Sequence, residues 1–141
     1  MYLLDTDHIG IFQRRTQPEF ARLLARIRQR PQTEFFTPIV SFHEQVLGWN
    51  AYINRARDQE GVIRAYSMFE RILADFSVAQ VVPFDQAAAQ VFDSLRQQNV
   101  RIATMDLRIA AIALSRGATL LTRNLTDFRK VPGLFVEDWT T

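Results

Sequence analysis

The stretch Tyr2-Leu3-Leu4-Asp5-Thr6-Asp7 opens on three apolar residues and stops abruptly at an acid. A short apolar run without polar alternation reads as a strand buried on both faces, as in parallel sheets. Thr6 and Asp7 are helix-capping types, so a helix is predicted to follow at once and to run to about Arg15. Asp5 then stands at the carboxyl end of a strand, which is where open α/β sheets hold their ligands.

The alternation repeats downstream. Pro18 suits a first helical turn, Phe20, Leu23, Leu24 and Ile27 share one helix face, and Pro31 ends that helix. Glu34 to Thr37 reads as a second strand, followed by a helix from Ser41 to about Tyr52. The charged stretch Asn54 to Glu60 turns the chain into another helix marked by Val62, Tyr66, Phe69 and Leu73. These two helices are predicted to form an αα-hairpin. Val78 to Val82 is apolar and β-branched, a third strand closed by Pro83. Asp85 caps a helix bearing Ala88, Val91, Phe92 and Leu95, with Asn99 as its stop. Thr104 or Asp106 opens the next helix, and Gly117 ends it. Thr119 to Thr122 is a fourth strand, Asn124 to Phe128 a loop or single helical turn, and Leu134 to Val136 a last short strand. Strands alternating with helices predict one α/β domain over residues 1–141, a three-layer α/β/α unit with a mostly parallel sheet of about five strands.

Composition narrows the chemistry. With no cysteine among 141 residues, disulfides and thiolate zinc sites are excluded. Two histidines, His8 and His43, are too few for a histidine cage, and both read as structural or solvated. A metal would have to rely on carboxylates, which suits magnesium or manganese. No basic lead or long apolar stretch precedes Asp5, and no segment approaches the roughly 20 apolar residues that span a bilayer. The expectation is a cytoplasmic protein without a membrane role. Net charge is only +2, yet Lys130 is the sole lysine beside sixteen arginines. Arginine's planar fork suits phosphate. A GC-rich genome gives the same bias, so the arginines alone select no partner.

Asp5, Glu44, Asp106, Asn124 and Asp127 all fall near predicted strand ends or the starts of the helices between them. If the sheet closes as read, they converge on one edge. Carboxylates gathered there repel one another and are normally kept together by a cation. Each residue also has a local reading. Ser41 and Glu44 form Ser-x-x-Glu, a capping box. Asp106 could cap its helix, and Asn124 and Asp127 could be turn residues. Asp5 has no capping duty on this reading. Trp49, Tyr52 and Phe69, at helical spacing, read as packing rather than as a stacking platform.

Four segments resemble the PIN-domain ribonucleases of the VapC toxin group, and in the same order. They are Tyr2-Leu3-Leu4-Asp5-Thr6-Asp7; Ser41-Phe42-His43-Glu44 with Gly48; Thr104-Met105-Asp106-Leu107-Arg108-Ile109-Ala110-Ala111; and Leu121-Thr122-Arg123-Asn124-Leu125-Thr126-Asp127-Phe128. Val131-Pro132-Gly133-Leu134 and Glu137-Asp138-Trp139 resemble the family's tail. The resemblance implies an RNA endonuclease and toxin in which Asp5, Glu44 and Asp106 hold magnesium or manganese and an activated water attacks the phosphodiester. It implies tRNA or ribosomal RNA as substrate, a small VapB-like antitoxin as partner, and a homodimer. Asp127 is a further candidate ligand, Asn124 a candidate outer contact, and Asp7 a ligand or outer contact. Asn124 departs from the fourth acid common in the family, which leaves the number of metal ions open. Arg22, Arg26 and Arg108 are candidates for RNA phosphates.

Two other readings compete. Asp5-Thr6-Asp7 also fits an aspartyl-phosphate phosphatase of the haloacid-dehalogenase type, with Asp5 as nucleophile. That chemistry needs a lysine at the phosphate, and only Lys130 is present. A PIN-fold module that binds RNA or protein without cutting is the other, kept open by Asn124. Glu44→Gln separates site from cap: a catalytic Glu44 gives a severe loss of cleavage with little change in Tm, whereas a capping Glu44 lowers Tm and spares activity.

Overall fold

A computed structural model describes residues 1–141. Its five strands are β1 (Tyr2–Leu4), β2 (Phe35–Pro38), β3 (Val81–Val82), β4 (Thr119–Leu121) and β5 (Val136–Glu137). They form one sheet in the order β3-β2-β1-β4-β5, and every neighbouring pair is parallel. The helices are α1 (Thr6–Arg14), α2 (Glu19–Ile27), α3 (Ile39–Arg55), α4 (Gln59–Val78), α5 (Gln86–Gln97), α6 (Thr104–Arg116) and the single-turn α7 (Leu125–Phe128). The predicted three-layer α/β/α architecture is the observed one.

The two-residue period of the strands builds two cores from adjacent side chains. Leu3 and Leu120 face α5 and α6, where they pack with Leu95, Leu107, Ile109 and Ile112. Leu4 and Leu121 face the other way, onto Ile9 and Ile11 of α1, Leu23 of α2, and Trp139. The unbroken apolar run of β1 is thus explained: it is covered on both faces. Helix α6 is buried without interruption from Ile109 to Ala113, and its alanines let α5 approach closely. Local stop signals act as read. Asn99 has φ 61° after α5, and Gly117 has φ 63° after α6, both in the left-handed region that ends helices. Helices α3 and α4 pack as the predicted hairpin.

Several boundaries differ from the sequence reading: the last strand is Val136–Glu137 rather than Leu134 to Val136, and α3 runs on to Arg55. Helix α3 starts at Ile39 rather than Ser41, because β2 runs straight into it and Val40 is drawn into the α5–α6 core. Val78 belongs to α4, not to the third strand: α4 is anchored by buried Ala65 and Ile72 one side of the helix, and this packing carries it past its β-branched end. Asp5, not Thr6 or Asp7, is the N-cap of α1, its Oδ1 accepting from Thr6 N at 2.8 Å. Fully buried Leu120 sits on the central strand pair. Leu120→Ala is expected to cost about 2–5 kcal/mol, read as a lower urea midpoint with unchanged m.

Candidate active site

The order in which strands are added reverses at β1: β2 and β3 lie on one side of it, β4 and β5 on the other. Ligands bind at such a switch point, beyond the carboxyl ends of the strands. Asp5 follows β1 and Thr122 follows β4, and the Asp5 amide donates to the Leu121 carbonyl at 2.9 Å. Parallel pairing thereby sets Asp5 beside Thr122, whose hydroxyl donates to Asp5 Oδ2 at 2.8 Å.

Glu44 and Asp106 arrive from α3 and α6. Oxygens of Asp5, Glu44 and Asp106 lie within 4.8 Å of one another. Glu44 Oε1 accepts from Thr6 Oγ1 at 2.8 Å, and that hydroxyl is also 2.9 Å from buried Ser41 Oγ. The Ser41–Glu44 capping box does not form: both residues lie inside α3, and their side chains meet Thr6 instead. Asp106 is in the first turn of α6 but is not its cap, which is Ala103. There it gains the positive end of the helix dipole.

Burial sets the electrostatics. Asp5 is 5% exposed. Desolvation first, and then the Asp7 charge, push its pKa up to about 7, against the lowering effect of the Thr122 and Thr6 hydrogen bonds. Asp106 is raised to about 6 by desolvation, then by Glu44, Asp127 and Asp7. Two raised carboxyls beside a third acid are a site short of positive charge.

The donor set fits a hard divalent ion. It is all carboxylate, and three oxygens within 4.8 Å of one another are close enough for Asp5, Glu44 and Asp106 to hold a single such ion. The other acids stand outside it. Asp7 is committed elsewhere, accepting from the Arg123 amide at 2.9 Å and pairing with His8 Nδ1 at 2.7 Å. His8 is fully buried, and its Nε2 accepts from the Trp139 amide at 3.3 Å, so it is structural. Asn124 caps α7 through Asp127 N at 3.4 Å and donates to Asp127 Oδ2 at 3.1 Å. That bond and the Lys130 ammonium at 3.2 Å hold Asp127 below the usual carboxylate range. Lys130, committed to Asp127, does not supply the phosphate lysine of the phosphatase reading.

Of the three arginines nominated for RNA, two contact the C-terminal tail. Arg22 Nη1 reaches the Thr140 carbonyl at 3.5 Å. Arg26 lies 4.8 Å over the Trp139 ring, 3.3 Å from the Asp138 carbonyl and 3.6 Å from Glu137. Both tie down the C-terminal tail. Arg108 contacts the Met105 sulfur at 3.7 Å. Thr6 and Thr122, which orient two of the three acids, were not singled out from sequence as site residues; a hydroxyl directly after a strand-ending acid, or ending a strand itself, is the only signal they give.

The PIN domain family model matches residues 2–134. The chain belongs to the PIN domain family. Among curated proteins it is similar to Ribonuclease VapC1 of Rickettsia felis, at 29% identity over 106 residues, spanning 72% of this chain and 73% of that one. It is also similar to the tRNA(fMet)-specific endonuclease VapC of Salmonella typhimurium, 34% identical over 64 residues that cover 43% of this chain and 48% of that one. The DNA-bound VapBC structure from Salmonella typhimurium contains a chain with the same fold, at TM-score 0.70 and 22% identity, covering 98% of this chain and 97% of that one. No helix is long and apolar enough to cross a membrane.

A folded-state carboxyl raised above its unfolded value binds its proton more tightly when folded, so stability falls as pH rises from about 4 to about 7. In EDTA the wild type should lose Tm across that window, and Asp5→Asn should be several degrees more stable than wild type at pH 8. Magnesium should raise the wild-type Tm more at pH 8 than at pH 5.5, and should leave Asp5→Asn unmoved. Thermal scans at both pH values check this.

Proposed function

We propose that this chain is a magnesium- or manganese-dependent endoribonuclease of the VapC type, the toxin of a toxin–antitoxin pair. The observation that carries the reading is the convergence of Asp5, Glu44 and Asp106, from three separate elements, on one point at the sheet's switch. The relatives named ribonuclease and endonuclease support it.

A bound divalent ion would neutralise the acids, polarise the scissile phosphate and lower the pKa of an attacking water. The chain's own residues do the positioning. Thr122 and the Thr6 amide fix both oxygens of Asp5. The Thr6 hydroxyl fixes Glu44, so one residue aligns two of the acids. Asp106 presents its carboxylate from the first turn of α6, half-buried and with no side-chain partner of its own to divert it. Such pre-alignment lowers the reorganisation required when the scissile phosphate arrives.

The substrate on this reading is RNA, with tRNA or ribosomal RNA the target class; the Salmonella relative is named for a tRNA. The partner is an antitoxin, as in the VapBC complexes that share the fold. A cationic side chain from such a partner, set among the acids, would silence them. The reading also makes the chain a homodimer acting in the cytoplasm. The non-cutting alternative rested on Asn124, and its capping of α7 accounts for that asparagine without loss to the triad.

Total cellular RNA incubated with purified protein tests the proposal. Wild type is expected to cut with magnesium or manganese and to stop in EDTA. Asp5→Asn and Asp106→Asn should each cut at least about a hundredfold more slowly while keeping the wild-type circular dichroism spectrum. Equal cutting by wild type and both variants would sink the assigned site. If none cuts, with mass spectrometry showing no bound partner, the non-catalytic module becomes the better reading.

A further inference from the structure

Beside the acids runs a second cleft, of about 430 Å³, between α1 and the α3–α4 hairpin. It abuts the candidate centre, because Thr6, whose hydroxyl holds Glu44, also lines the cleft. Its size falls within the roughly 300–1,000 Å³ typical of small-ligand sites. Gln13 of α1 and Gln45 of α3 exchange hydrogen bonds of 3.0 and 2.6 Å, which fixes the spacing of its walls.

The walls carry charge and aromatic surface together. Arg14 and Arg55 line the cleft, and neither has an acidic partner within 4 Å. Helical side chains lean toward the helix N-terminus, and Arg14 folds back over Gly10, one turn nearer the acids. A Cβ at Gly10 would stand only 3.0 Å from Arg14 Nη2, so the glycine makes room for the guanidinium. On the other wall, Trp49 and Tyr52 are half-buried, with ring centroids 5.0 Å apart at 62°. Gly48 beside them leaves open space, with no atom within 4 Å of where a side chain would begin. The one acid in the wall, Asp7, is held by His8 and the Arg123 amide.

A polyanion approaching three carboxylates needs compensating cations nearby. Guanidinium groups bind phosphate in a forked geometry, and aromatic rings stack bases whatever their identity. We propose that this cleft seats the RNA nucleotide flanking the scissile phosphate, with Arg14 and Arg55 on its phosphate and Trp49 and Tyr52 against its base. The spacing of Trp49 and Tyr52 reads as packing in sequence; in the fold they line a charged cleft at the edge of the centre. The inference rests on the ribonuclease reading for its substrate but is testable without cleavage.

A mixed-sequence single-stranded RNA oligonucleotide titrated into the full chain in EDTA is the probe. Saturable quenching of tryptophan emission is expected, and its loss in Trp49→Phe. Arg14→Gln/Arg55→Gln should bind at least tenfold more weakly, with the slope of log affinity against log salt shallower by about 1.4, since each single-strand phosphate contact contributes about 0.7. Gly10→Ala, a helix-favouring change, should keep or raise Tm yet weaken binding, which separates the site from a folding defect. Unchanged affinity and salt slope in the double arginine variant would overturn the proposal. So would a Trp49 emission that shifts with protein concentration and not with RNA, since a second copy would then cover the cleft. Binding and quenching without cleavage in magnesium would overturn the nuclease and leave the cleft standing. Cleavage with an unchanged KM in the arginine variant would do the reverse.

Discussion

The parallel pairing of β1 with β4 is the constraint on which the rest depends. It carries the ladder one residue beyond β1, so that the Asp5 amide donates to the Leu121 carbonyl at 2.9 Å. Asp5 and Thr122 then have to be neighbours. The same register puts Leu3 against Leu120 and Leu4 against Leu121, and these pairs start the two cores. Helices α1 and α6, pressed onto opposite faces, deliver Thr6 and Asp106 to the same end of the sheet. A slip of one residue would swap both cores and turn Asp5 away.

That geometry conflicts with stability. Three acids sharing one corner repel, and burial adds to the cost by stripping water from Asp5 and, less completely, from Asp106. The fold tolerates this because the first acid is held by two donors and the second by a hydroxyl. Strain of this kind is characteristic of sites kept for chemistry, since a packed apolar corner would be more stable.

The C-terminal tail closes the α1–α2 face of the sheet. Trp139 packs on Tyr2 and Phe35 with centroids at 4.8 and 5.9 Å, beneath Arg26. Its amide bonds to His8, which in turn holds Asp7, so the tail is linked through two residues to the acid that flanks the centre. Arg22 and Arg26 contact this tail, whereas Arg14 and Arg55, which carry no motif, line the cleft next to Thr6 without an acidic partner.

Much of the fold was legible because its determinants are local. Apolar runs mark strands, Pro31, Asn99 and Gly117 mark ends, and adjacent leucines mark a strand covered on both faces; each is a property of a few consecutive residues. The family motifs also pointed to Asp5, Glu44 and Asp106 as a group. What consecutive residues could not decide was which local option wins. Ser41-x-x-Glu44 offers a cap, yet Thr6, 38 residues from Glu44, takes its carboxylate. Thr122 lies 117 residues from the acid it orients. Val78 has strand chemistry and ends a helix because α4 is anchored elsewhere. Sequence determined the order of elements and the acids available to them. The tertiary structure alone decided which hydroxyls reach those acids and which arginines line the neighbouring cleft, because that depends on strand order and on where each helix lands on the sheet.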